Sequence, residues 1–142
     1  MIKGKLMSEI FQEFQEAKTK QERINVLRKY DHPRFREFIF YALSKKIKFD
    51  IEAPKYRPAP EPAGLNFTYL NLETEKLYRF ITGHPKKPQG LTQDKQKQLL
   101  VVVLESLHID EAEILSKVVN RKFEVPFLTQ TLVNEAFPNL MP

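Results

Sequence analysis

A chain of 142 residues with 42% apolar residues and no cysteine is sized for one domain with its own core; it excludes wholesale disorder, disulfide frameworks, thiolate metal sites and cysteine nucleophiles. No apolar run approaches the roughly 18 residues of a membrane span, the longest being Leu99–Leu104, and the start MIKGKLMSEIF lacks the apolar stretch of a signal peptide. The net charge of +5 is uneven, with 12 basic and 7 acidic groups in residues 1–50, 8 and 5 in 51–100, and 3 and 6 in 101–142, so the surface is expected to be polarised.

Leu6, Ile10, Phe11, Phe14 and Ala17 recur at helical spacing and predict an amphipathic helix over about Lys5–Lys18. Thr19-Lys20-Gln21-Glu22 is a capping box that starts a second helix, with Ile24, Leu27 and Tyr30 inward. Asp31-His32-Pro33 opens a third helix, Asp31 as cap and Pro33 in the first turn, running to about Lys45. Its apolar set includes Phe35, Phe38, Ile39, Ala42 and Leu43, and its density of aromatics predicts the central helix of a bundle. Ile47, Phe49 and Ile51 alternate with polar residues and predict a short extended piece.

Ala53–Gly64, with Pro54, Pro58, Pro60 and Pro62, reads as a polyproline-like surface loop. Glu73–Thr82 predicts a fourth helix closed by Gly83, with Leu77, Phe80 and Ile81 apolar. Thr92 caps a fifth, Gln93–Leu107, whose middle is apolar on most sides and is expected to be buried. Asp110 is expected to cap a sixth, with Glu113 completing a capping box and Ile114, Leu115, Val118 and Val119 as its stripe. Pro126 suits the first turn of a seventh, with Phe127, Leu128, Leu132 and Phe137 on its buried side. The expected fold is a single all-α domain over residues 1–142, of about seven helices, with one or two short extended pieces.

The run ILSKVVNRKFE, the helix after it bearing an Asn, and the tail Phe137-Pro138-Asn139-Leu140-Met141-Pro142 resemble the end of the N-terminal helical DNA-binding domain of phage ATP-dependent DNA ligases. Thr19–Ile51 resembles the same domain in its Thr-Lys-Gln helix start, its Ser followed by a basic residue and its aromatic-x-Ile ending. The resemblance implies a stand-alone relative of that domain, without the catalytic domain, that holds double-stranded DNA through phosphates with little sequence specificity. It also implies an alternative role as an adaptor in phage replication or transcription, engaging a sliding clamp or a polymerase component. The implied compartment is the cytoplasm of the infected host cell.

Nucleotidyl transfer would need a Lys-x-Asp-Gly motif, and the chain has none; it also lacks a Walker loop, His-Glu-x-x-His and Gly-x-Ser-x-Gly. The expectation is therefore a non-enzyme without cofactor or metal. His32, His84 and His108 read as surface or capping residues, and Glu111 and Glu113, two apart, face different sides of their helix. The candidate phosphate contacts are Lys18, Lys20 and Arg23 at a helix start, Lys45, Lys46 and Lys48, then Lys86 and Lys87 in a loop, and finally Arg121 and Lys122. Where the ligases carry Gly then Ser, this chain has Pro126 and Phe127, one without an N–H donor and one bulky. The phosphate contact implied there is expected to be lost, with Phe127, Phe137 and Leu140 as candidate protein contacts.

Overall fold

The computed structural model describes residues 1–142. Seven α-helices follow one another: α1 Met7–Glu16, α2 Lys20–Lys29, α3 Pro33–Leu43, α4 Leu70–Glu73, α5 Gln93–Ser106, α6 Ile109–Val119 and α7 Gln130–Ala136. A 3-10 helix, Thr74–Phe80, continues α4. There is no sheet, only two isolated antiparallel bridges, Ile2 with Lys5 and Phe49 with Ile81. The chain is all-α, as its periodicity predicts, and the extended piece near Phe49 is the second bridge.

One contiguous cluster of 31 buried apolar residues, from Ile2 to Met141, joins every helix. Its aromatic centre lies on α3. The Phe35 and Phe38 rings pack on Phe11 of α1 at 5.7 and 6.2 Å, Phe38 meets Phe123 at 6.4 Å, and Phe35 meets Phe137 at 6.4 Å. Helix α3 is thus central, and Phe38, Leu104 and Val118 are fully buried.

Several helix starts differ from expectation. Thr19 caps α2 as predicted, accepting from Glu22 N at 3.1 Å, but Glu22 reaches back one residue further, to Lys18 N. Histidine, not aspartate, caps α3 and α6: His32 Nδ1 accepts from Arg34 N, and His108 Nδ1 from Asp110 N, each at 3.1 Å. Asp31 instead grips the Arg36 guanidinium with both oxygens, at 2.6 and 2.8 Å. Asp110 lies already inside α6, and Glu113 pairs with Lys117 at 3.0 Å.

The fourth predicted helix is shorter and tighter than its pattern promised. Thr74, Leu77 and Phe80 are its buried residues, spaced by three, which is the repeat of a 3-10 helix and brings all three onto one face. Helix α5 is not buried on most sides, since Val102 is 63% exposed. Helix α7 begins at Gln130 behind the cap Thr129, not at Pro126. Pro126 and Phe127 sit in the turn before it, with the Phe127 ring in solvent.

Candidate nucleic-acid interface

A helix leaves its last carbonyls without partners, and at the end of α3 three are taken by distant side chains. Arg121 donates to Tyr41 O at 3.0 Å and to Ser44 O at 2.8 Å, and Gln130 donates to Leu43 O at 2.9 Å. Arg121 stands just beyond α6 with φ +57. Lys122 N donates to Lys117 O at 2.8 Å and Arg121 N to Val118 O at 3.1 Å, the bonding of a Schellman ending, whose left-handed residue is usually glycine. An arginine here is explained by its side chain, which ties α6 to the end of α3. Burial draws its pKa below the usual arginine value. The exposed Lys45 and Lys46 follow Ser44 directly, and Lys122 is exposed beside Arg121.

The cluster at the start of α2 is partly engaged. Lys20 pairs with Glu135 of α7 at 2.9 Å, both side chains exposed, an exchangeable contact of about 0–1 kcal/mol. Arg23 has no carboxylate partner; its guanidinium lies 3.7 Å from the centroid of the Phe127 ring. Lys18 is exposed. The N–H groups of this helix start are partly taken, since Thr19 satisfies Glu22 N.

Lys48 and Lys86 are exposed, but Lys87 is not a free cation. Its side chain is 14% exposed and paired with Asp50, which also accepts from Thr82 Oγ1 at 2.6 Å and Gln96 Nε2 at 3.1 Å. Burial alone would raise the Asp50 pKa, yet the Lys87, Thr82 and Gln96 donors hold it below the usual aspartate range. Lys87 therefore fastens the 82–90 loop to the segment after α3, and as a phosphate contact it is corrected to a structural residue.

These contacts place the basic groups in a connected series. Arg23 touches the 125–128 turn, Gln130 just beyond that turn reaches Leu43, and Arg121 reaches Ser44, next to Lys45 and Lys46. Thr82 N donates to Lys48 O at 2.8 Å, which carries the series on to the loop bearing Lys86. Six acids gather in a groove that meets this series at Glu124 and Val125. Glu9, Glu13, Glu16, Asp110, Glu113 and Glu124 line one groove between α1 and α6, with only Lys5 and Lys117 among them.

Of the candidate protein contacts, Phe127 is exposed, Leu140 is half-buried and Phe137 is fully buried. Phe137 packs on Phe35 with the Arg36 guanidinium 4.6 Å from its ring centroid. Asn134 pins the tail, accepting from Met141 N at 2.8 Å and donating to Met141 O at 2.7 Å. Phe137 is thus a core residue. Leu65, Phe67, Leu72 and Val102 are further exposed apolar residues. Thr68 N donates to Ser106 O at 3.2 Å, which sets the first three beside the end of α5. No helix is long and apolar enough to cross a membrane.

Among known proteins, the family described as a family of unknown function, DUF6433, matches residues 10–125, and the chain belongs to it. No curated protein matches the sequence.

Proposed function

We propose that this DUF6433 protein holds double-stranded DNA without sequence preference, through the phosphate backbone, on the basic surface around the ends of α3 and α6. The observation that supports this is the series of contacts joining Arg23, the 125–128 turn, Lys45, Lys46, Arg121 and Lys122, while six carboxylates collect in the α1–α6 groove. Lysines on short exposed segments can each meet a phosphate along a duplex, and such contacts fix position without reading bases. Lys45, Lys46, Lys48, Lys86 and Lys122 are the phosphate contacts of this reading, with Lys18, Lys20 and Arg23 extending the track. Arg121 orders the surface, and its remaining donors are open to phosphate. The resemblance of Thr19–Ile51 and the C-terminal run to the phage ligase DNA-binding domain supports the same reading, in the cytoplasm of an infected host. Titration of labelled duplex at several salt concentrations tests it.

A second reading, an adaptor for a sliding clamp or polymerase component, is favoured by one observation. Leu65, Phe67 and Leu72 stand exposed beside the proline-rich loop, which is itself anchored by Arg57 N to Glu105 at 2.7 Å and Ala53 N to Asn120 at 2.8 Å. Replacing Leu65 and Phe67 with Ser abolishes partner capture in that reading and leaves DNA titrations unchanged.

A further inference from the structure

We infer that Phe127 is a stacking platform for an unpaired nucleobase, so that the protein favours DNA with a gap or single-stranded end over intact duplex; this rests on the DNA-binding reading above. Leu128 N donates to Val125 O at 3.0 Å, closing a turn with Pro126 and Phe127 at its centre, and Phe127 has φ +69. Pro followed by a residue of positive φ is the pattern of a type II turn, whose third position takes Gly or Asn because a larger side chain is strained there. The turn is explained by its flanks, since Val125 and Leu128 are buried. Glycine would make the same turn but not the contact with Arg23, and Phe127 remains 61% exposed. A strained backbone that displays a large aromatic side chain to water is a mark of a binding position.

The surroundings specify what binds. One face of the ring carries the Arg23 guanidinium at 3.7 Å. The exposed remainder can accept a planar aromatic group, and the guanidinium supplies charge for the phosphate attached to it. Lys45, Lys46 and Arg121 lie along the same contact series. Aromatic rings beside a track of cations hold single strands by stacking, largely independently of base identity. An intact duplex offers no open base face, whereas a gap or overhang does.

The test uses the full chain and two DNAs of equal length. One is an intact duplex, and the other has a three-nucleotide gap carrying 2-aminopurine. Phe127→Trp, Phe127→Gly and Phe127→Ala are compared with the unaltered protein, each first checked for cooperative unfolding. The unaltered protein and Phe127→Trp should bind gapped DNA about tenfold more tightly than duplex and change the 2-aminopurine fluorescence. Phe127→Gly and Phe127→Ala should lose that preference and the signal, and bind the gapped and intact DNAs with equal affinity. Equal preference for gapped DNA in Phe127→Gly and the unaltered protein would overturn the inference while leaving phosphate binding intact. Absence of binding to either DNA at low salt would remove both it and the reading beneath it.

Discussion

The carboxylate of Glu111 accepts the backbone N–H of Met7 at 2.8 Å, across 104 residues of sequence. Its other oxygen accepts Leu70 N at 3.0 Å. Met7 and Leu70 are the first residues of α1 and α4, and Glu111 lies in the first turn of α6, so three helix N-termini converge on one buried carboxylate. The positive ends of the helices suit an anion, and the two donors are groups that a helix start leaves unsatisfied.

Replacing Glu111 by Ala should leave both N–H groups buried without acceptors, costing about 3 kcal/mol or more. Glu111→Gln retains one acceptor but turns an amide NH2 towards the other donor, and should cost about 1–3 kcal/mol. Denaturant unfolding of the two variants measures both, with Glu113→Gln, at an exposed position, as the near-neutral control.

Glu111 also gives stability a pH dependence. Burial raises its pKa above the ordinary value of 4.5, opposed by the hydrogen bonds from Leu70 and Met7. A carboxyl with a raised folded-state pKa contributes most below its unfolded pKa, and that contribution is lost as pH rises through the folded value. The stability difference between the unaltered protein and Glu111→Gln should therefore shrink as pH rises from about 4.5. A difference that is constant with pH would show that Glu111 has the same pKa folded and unfolded.

Asp50 has the opposite sign. Its pKa is depressed, so its contribution is present above the ordinary aspartate value of 3.8 and is lost as pH falls through the depressed one. Asp50→Asn should cost about 1–3 kcal/mol, because a hydrogen-bonded and largely buried ion pair is broken. Lys87→Ala should likewise lower the midpoint of thermal unfolding while leaving the salt dependence of DNA binding unchanged, whereas Lys86→Ala should flatten that dependence.

Phe38 packs on Phe11 and Phe123 with no exposed surface. Phe38→Ala should cost about 3–5 kcal/mol, a large part of a domain's total stability, measured by chemical denaturation. A mild loss would mean that the aromatic cluster collapses to fill the space.

What the sequence revealed follows from which physical signals are local. The caps Thr19 and Thr92 were legible because a hydroxyl before a helical pattern has one common use. The caps His32 and His108 are masked by neighbouring aspartates, a residue type that ranks higher at that position. Pro126 misled because a proline has the same φ in the first turn of a helix as in a β-turn, and only the Leu128-to-Val125 hydrogen bond distinguishes them. The V-P-x-L pattern, with a bulky residue where a turn wants glycine, was the available signal for Phe127. Glu111 and Glu113 were correctly placed on different sides of α6. That Glu111 would face two other helix starts depends on contacts 41 and 104 residues away, which no local pattern encodes. The pairing of Lys87 with Asp50, 37 residues earlier, is non-local in the same way.

Salt titration of labelled duplex DNA, with Lys45→Ala/Lys46→Ala beside the unaltered protein, bears most directly on the proposed role. Each phosphate contact contributes about −0.9 to the slope of log affinity against log salt, so four to six contacts predict a slope of roughly −4 to −5. Removing both lysines should weaken binding to all sequences alike and flatten the slope by about 2. Undetectable binding at low salt, or a slope that the double variant leaves unchanged, would contradict the phosphate-binding account.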